Sequence, residues 1–373
     1  MRKLGIYVHI PFCVRRCRYC AFYSNEVGDR STPDVAKFER EYILSQVEKI
    51  RKYAAIYGRE REVDSIFIGG GTPSILPPEM IGYLLARVRE NFRVTEDAEI
   101  SLESNPGTLS QEKLDAYLEM GVNRLSIGIQ SLDPAVLDML GRIHSPEDGI
   151  RSFQMARSAG FQNVNIDLMF GIPGQRYGSW LDTLTGILDL NPEHISFYSL
   201  QLEEGTPFFD NYRNGKVPKI DTDLDRVMYH EAIREMREAG YEHYEISNAA
   251  RPGFRCRHNQ KYWRFQEYLG IGANASSFIA GVRFTEEPDS EYHLNSFMDD
   301  ASEYVFTGLR MMEGISRKAF AETFGRGFWD VFGDRRDSLR EYFDQGLLIE
   351  DGDILRLSEE GIDCSNEVMA VFV

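Results

Sequence analysis

Six times between residues 4 and 239 a short apolar run gives way to a longer amphipathic stretch, and this alternation limits the fold more than any other feature. The short runs, 4–10, 65–69, 99–104, 124–130, 164–170 and 194–200, are β-branched or alternate apolar with polar residues, as strands do. The stretches 33–57, 77–91, 110–120, 145–159, 178–190 and 222–239 repeat their apolar residues at helical spacing. Strand-then-helix units in series predict an α/β class with a parallel sheet, and six are too few to close an eight-stranded barrel. The expectation is an open, partial (β/α)6 barrel over 1–240. Right-handed crossovers would gather its functional loops at the C-terminal ends of the strands. The residues able to do chemistry follow that rule. Cys13 comes just after the first run, Gly69-Gly70-Gly71 end the second and Glu103 the third. Gln130 ends the fourth, Asp167 lies in the fifth and Ser199 is near the end of the sixth.

Beyond the barrel, 241–290 reads as an irregular, aromatic and glycine-rich segment packed on it, and 289–300 as a polar linker. From 300 to 373 the pattern is helices, a hairpin turning at Asp351-Gly352 and a last helix, which together predict a small winged-helix-like α+β domain. Residues 303–373 hold 8 basic and 15 acidic side chains, so this domain is expected to pack or meet a partner rather than bind DNA. The chain as a whole has 42 basic and 59 acidic residues, a formal charge of −17 that repels phosphate backbones, so no nucleic acid is expected as partner. No run of 18 apolar residues exists to span a membrane. The basic start, Met1-Arg2-Lys3, leads into an apolar stretch without a small-residue cleavage site, so it is not read as a signal peptide and the chain is expected in the cytoplasm.

Cys13-Val14-Arg15-Arg16-Cys17-Arg18-Tyr19-Cys20 is a C-x3-C-x2-C motif placed directly after a strand. Three thiolates at this spacing can each bind one iron on a face of a [4Fe–4S] cubane, leaving the fourth iron open as a coordination site. Arg15, Arg16 and Arg18 are expected to lower the thiol pKa values and offset the anionic cluster. The alternatives are zinc and three unrelated thiols. Structural zinc wants four ligands, here available only from the distant Cys256 or Cys364.

The motif resembles that of the radical S-adenosylmethionine (SAM) superfamily. There the open iron is chelated by the amino and carboxylate groups of SAM, and an electron from the cluster cleaves it to a 5′-deoxyadenosyl radical. Gly69-Gly70-Gly71-Thr72-Pro73 would then let backbone amides approach SAM closely, although a tight turn is an equal reading of these glycines. Glu103 and Asp167 are carboxylates inside apolar strands and need donors, either ribose hydroxyls and an ammonium group or a structural salt bridge.

Longer stretches are similar to the oxygen-independent coproporphyrinogen III dehydrogenase (HemN) group, and closest to its haem-chaperone branch, HemW. They are Tyr7-Val8-His9-Ile10-Pro11-Phe12-Cys13, Gly128-Ile129-Gln130-Ser131, Gly141-Arg142-Ile143-His144 and Asp167 to Gln175. The resemblance implies a cluster on Cys13, Cys17 and Cys20, with SAM at Tyr7, Gly70, Gly71, Thr72 and Glu103. It also matches Tyr19, Gln130, Arg142 and Asp167 to residues that contact a second SAM in the dehydrogenase. Dehydrogenases carry C-x3-C-x2-C-x-C, whereas Phe22 stands at the last of those positions, and they have a long segment ahead of the cysteines where 12 residues stand here. His258-Asn259-Gln260-Lys261-Tyr262-Trp263 resembles the HNxxYW haem signature, which implies haem as cofactor with His258 as ligand and Cys256, Tyr262 and Trp263 as further candidates. A structural histidine in an aromatic patch is the other reading of His258. Ser276 stands where HemW relatives commonly carry the histidine of GIGxGAH, and Asn274 where they carry a glycine.

The resemblance implies a haem chaperone whose partners are haem, a haem-acceptor protein such as a respiratory haem protein, and an electron donor for the cluster. A homodimer stays open. The alternatives are a true coproporphyrinogen III dehydrogenase and a radical-SAM enzyme that opens the haem ring by methylation. Trp180, Trp329 and His9 read as packing residues.

Overall fold

The first strand, β1 (Arg2–Ile10), shows why the sheet forms. Leu4, Ile6, Val8 and Ile10 are at most 1% exposed and point into the helical layer, while Gly5, Tyr7 and His9 point the other way. Each aliphatic side chain so buried stabilises by about 1.5–3 kcal/mol. In the computed structural model, which describes residues 1–28, 32–288 and 290–373, the same division recurs in β2 (Arg61–Gly70), β3 (Val94–Ser104), β4 (Arg124–Gln130), β5 (Val164–Phe170) and β6 (His194–Ser199).

These six strands are parallel and in sequence order, and their register aligns the outer apolar residues. Ile6 lies opposite Ile66, Ile66 opposite Ile100, Leu102 opposite Leu125, Ile127 opposite Ile166, and Ile166 opposite Ile195. Outside them lie α1 (Pro33–Tyr57), α2 (Pro78–Asn91), α3 (Gln111–Glu119), α4 (Pro134–Leu140), α5 (Pro146–Ala159), α6 (Tyr177–Leu190), α7 (Pro207–Arg213) and α8 (Thr222–Glu238). The α/β partial barrel is thus present. Its inner face is polar: Ser65, Glu99, Ser101, Arg124, Asn165 and His194 are all under 9% exposed.

The sheet extends past six strands. The 241–290 segment, expected to be irregular, adds β7 (Glu242–Glu245) and β8 (Asn248–Ala250) beside β6. At the other edge it contributes β9 (Tyr268–Ile271), parallel to β1, then β10 (Ser276–Ile279) and β11 (Val282–Thr285). Between these two groups lies α9 (Arg257–Trp263). Strands of three or four residues are too short for an alternation to be seen. Of the stretch 289–300 expected to be a linker, residue 289 lies outside the described residues, and β12 (Glu291–Leu294) is the edge strand. It reads as polar because all four of its residues are exposed. The full order is β12-β11-β10-β9-β1-β2-β3-β4-β5-β6-β8-β7, an open sheet whose β7 edge is joined to the segment after α10 by a Glu245–Met311 bridge.

The C-terminal part is the winged-helix-like module. It contains α10 (Phe297–Gly308), α11 (Arg317–Phe324), α12 (Phe328–Phe332), α13 (Arg336–Asp344) and α14 (Ser365–Ala370). A three-stranded sheet joins them: β13 (Ile315–Ser316) pairs with β15 (Ile354–Leu357), which pairs with β14 (Leu348–Asp351). The β14–β15 hairpin turns at Gly352. Phe320, Phe328, Phe332 and Phe372 fill the core between these elements. Among the described residues no helix is long and apolar enough to cross a membrane.

Candidate functional site

Past Ile10 the chain forms a short parallel pairing of Phe12–Cys13 with Asn25–Glu26, so the residues between them loop over the barrel mouth. Two arginines fasten that loop to the C-terminal end of α4, whose last carbonyls have no helical partner. Arg15 donates to the carbonyl of Gly141 at 2.9 Å, Arg18 to that of Asp138 at 2.9 Å, and the Arg18 amide to that of Leu140 at 3.1 Å. This helix, missing from the expected elements because it is only seven residues long, ends at Gly141 with φ +75°. That left-handed residue turns the chain so that Arg142 reaches back to Cys17 Sγ at 3.3 Å, Asn105 Oδ1 at 2.6 Å and the Gly128 carbonyl at 2.5 Å.

Cys13, Cys17 and Cys20, all free thiols, line one cavity of about 450 Å³. Gly70, Gly71 and Thr72 line it from β2, Glu103 from β3, Gln130 and Arg142 from β4 and beyond, and Asp167 from β5, with Tyr19 on the loop. Tyr7 lies beneath this wall on β1, its hydroxyl 2.9 Å from His9 Nδ1. Most of the expected cluster and SAM residues therefore meet at one place.

The glycines are required by space. Gly70 has φ +109°, and a Cβ there would stand 2.4 Å from the His9 ring. At Gly71 a Cβ would be 2.7–2.9 Å from backbone atoms of Ile10 and Phe12. Because the strap lies so close, the Gly70 amide donates to Glu103 Oε2 at 2.9 Å. Burial first, then the charge of Asp167, pushes the Glu103 carboxyl up to about 8. Asp167 is raised by burial, although Asn165 at 2.8 Å and Ser126 at 3.1 Å donate to it. The hydrogen-bond donors to these two carboxyls are neutral, and the buried Arg124 guanidinium acts on both only through its charge. Gln130 adopts φ +69°, a strained conformation for a residue with a side chain.

One electrostatic expectation is reversed. Burial holds the thiols of Cys13 and Cys20 above the ordinary value, and Arg142 and Arg16 only partly oppose it. Arg15, Arg16 and Arg18 spend their donors on backbone carbonyls instead. The donor set nonetheless suits an iron–sulfur cluster. Among the described residues no three His, Cys, Asp or Glu side chains could share a single metal ion, as zinc would require. Thiolates that each take a separate iron have no such requirement.

Asn105 and Tyr198 also reach the cavity and were not singled out beforehand. Asn105 is readable from the period of two, standing two residues past Glu103, whereas Tyr198 is adjacent to Ser199 and the alternation alone does not point to it.

The HNxxYW motif forms α9 and lies away from this cavity, at the opposite, N-terminal end of the strands. His258 is 0% exposed, with Nδ1 2.9 Å from Ser65 Oγ and Nε2 2.9 Å from Tyr262 Oη. Burial holds its imidazole neutral, with a pKa of about 3. For the haem-ligand role expected from the sequence, both ring nitrogens are engaged and no edge is exposed in this structure. Cys256 is also 0% exposed, its thiol pushed up to about 12 by burial. Trp263 packs under the guanidinium of Arg310, 4.4 Å from the ring centroid.

Comparison with known proteins fixes the family. Residues 7–185 match the model of the Radical SAM superfamily, and 298–363 match the HemN C-terminal domain. The haem chaperone HemW of Bacillus subtilis is 33% identical over 98% of this chain and 98% of its own, and that of Escherichia coli is 34% identical over 99% and 98%. The chain belongs to the HemW family. A bovine member of the same set, the mitochondrial radical S-adenosyl methionine domain-containing protein 1, is 36% identical over 97% of this chain and 85% of its own. The solved structure of coproporphyrinogen III oxidase (HemN) from Escherichia coli superposes with a TM-score of 0.86 over 100% of this chain and 90% of its own. At 24% identity that likeness shows the fold alone. In this chain, Ser276 is exposed on β10 with its hydroxyl 3.2 Å from Thr285 Oγ1.

Proposed function

We propose that this protein is a haem chaperone that carries a [4Fe–4S] cluster on Cys13, Cys17 and Cys20, binds SAM beside it, and passes haem to an acceptor protein. The observation that carries this most is the convergence of three free thiols, a glycine strap and two buried carboxyls on one cavity. When bound, such a cluster supplies one-electron reduction at an iron that has no protein ligand. The chain's own residues bind and orient. Arg142 donates toward Cys17 and places positive charge beside the thiols. Thr72 Oγ1, 3.6 Å from Cys13 Sγ and 2.8 Å from Asn105 Nδ2, fixes the strap against the loop. Gly70 and Gly71 allow the backbone to approach an amino-acid moiety, and Glu103, raised to about 8, ionises when a cationic group arrives. Tyr7 supports this wall, while Tyr19, Gln130 and Asp167 line the same cavity and would help hold SAM.

Phe22, 69% exposed next to Cys20, favours the chaperone over the dehydrogenase, which carries a cysteine at that position. Acceptor protein and electron donor are partners of this function. The test is anaerobic reconstitution followed by two assays. Haem should bind stoichiometrically and move to an apo-haem protein. Coproporphyrinogen III with SAM and reductant should stay unchanged; its conversion to protoporphyrinogen would overturn the proposal.

A further inference from the structure

The HNxxYW helix sits in the floor of the barrel. Its N-terminus is held by Glu99 on β3, which accepts the amides of Arg257 and His258, both at 3.0 Å. Lys261, 2% exposed, pairs with Asp64 at 2.7 Å. His258 links Ser65 on β2 to Tyr262 one turn along its own helix. The fit is close. A Cβ at Gly5 on β1 would stand 2.7 Å from Lys261 Cδ and 3.1 Å from His258 Cε1, so this strand leaves a gap that the helix fills.

Two contiguous lines lead from this helix to the cavity. On one side the His258 ring packs on Phe67 with centroids 5.4 Å apart, and Phe67 packs on Tyr7 at 6.2 Å. A Cβ at Gly69 would stand 2.8 Å from the Phe67 ring and 2.9 Å from the Glu103 carboxyl, so the ring and the carboxyl face each other across that glycine. On the other side the Cys256 amide donates to Tyr244 Oη at 3.3 Å, which lies 2.8 Å from His194 Nε2. His194 Nδ1 meets Asn165 Oδ1 at 2.5 Å, and Asn165 donates to Asp167 at 2.8 Å. Tyr7 and Tyr262 both lie within electrostatic reach of Glu103, which adds to burial in raising their hydroxyls.

We infer that the HNxxYW helix is a plug that closes the barrel floor, and that His258 and Tyr262 are positioning residues for the Tyr7–Glu103 wall of the cavity rather than haem contacts. The positioning role rests on the cluster-and-SAM function proposed above, whereas the plug does not. A neutral imidazole offers one lone pair to a metal, and here both ring nitrogens are already engaged. For His258 to reach iron, α9 would have to leave the floor and uncover Cys256.

Cys256 therefore reports on the plug. The experiment uses the full chain, cofactor-free and anaerobic, as wild type, Ser65→Ala, Tyr262→Phe and His258→Ala. Pulsed alkylation with iodoacetamide is read at each cysteine by mass spectrometry, with and without haemin, alongside a Soret titration. In wild type Cys256 should react at least a hundredfold more slowly than the loop cysteines, and haemin should leave that protection unchanged. Ser65→Ala and Tyr262→Phe each remove one buried hydrogen bond and should speed Cys256 alkylation about tenfold, equivalent to about 1.4 kcal/mol. His258→Ala should bind haemin within about twofold of wild type; should that variant not fold, the two hydroxyl deletions carry the test. After cluster reconstitution the same two variants should bind SAM at least about fivefold more weakly with unchanged iron content. Haemin that exposes Cys256 or slows its reaction in wild type would overturn the plug, as would hydroxyl deletions without effect on alkylation. Unchanged SAM affinity in variants whose Cys256 has become reactive would overturn the positioning role. Wild type that takes up neither iron nor SAM would count against the proposed function, while the alkylation result would still stand.

Discussion

Glu103 and Asp167 set the electrostatics at the scale of single residues, and Glu103 leads to a pH prediction. Its carboxyl is raised in the folded chain to about 8 by burial and by Asp167, against about 4.5 when exposed. A carboxyl raised on folding contributes stability that is fully present below the unfolded value and lost as pH rises through the folded one. In cofactor-free protein the melting temperature of Glu103→Gln minus that of wild type should be near zero at pH 4.5. It should grow up to about pH 8 and level off above, as read by calorimetry across that range. A flat difference would place the carboxyl in an ordinary environment. The two carboxylates were legible beforehand because a charge inside an apolar run is an anomaly, and the cysteines because their spacing is. The burial of His258 was not legible, since a motif names side chains without saying which way its helix faces. The thiol environments differ from expectation for a related reason: flanking arginines in sequence do not reveal that Arg15 and Arg18 donate to carbonyls at the end of α4 and Arg16 to carbonyls of its own loop.

At the scale of elements, strand register and glycine strap decide what the chain tolerates. Leu102, 0% exposed in β3 and opposite Leu125, sits in the outer apolar row. Leu102→Ala should cost about 2–5 kcal/mol in urea denaturation with an unchanged slope. Gly71→Ala would press a methyl group against the backbone of Ile10 and Phe12, whose displacement moves Cys13. Iron uptake on reconstitution should fall to less than about half of wild type, while far-ultraviolet circular dichroism keeps its helical signal; full iron uptake would contradict the cradle. The six long strands and the helices outside them were readable from period alone. The strands of 241–294 were not, because three or four residues carry too little pattern, and their places at both edges of the sheet depend on contacts distant in sequence.

Across the whole molecule, barrel and C-terminal module meet through charges that also touch the cavity rim. Arg226 on α8 pairs with the buried Asp225 at 2.5 Å and with Asp363 of the module at 3.2 Å, and Asp225 accepts Ser199 Oγ at 2.5 Å. Arg226→Gln leaves Asp225 without its cation and should cost about 2 kcal/mol. Asp225→Asn combined with it should recover part of that loss, because the uncompensated charge has gone; additive losses in the double variant would show that the two side chains act independently. The proposed function requires an iron site that the three thiols leave open, and electron paramagnetic resonance of the anaerobically reconstituted, reduced protein tests this most directly. About four irons per chain are expected, with a spin-½ signal that SAM alters, and both should be lost in any of the Cys13→Ala, Cys17→Ala and Cys20→Ala variants. A signal indifferent to SAM, or iron retained in those variants, would contradict that function.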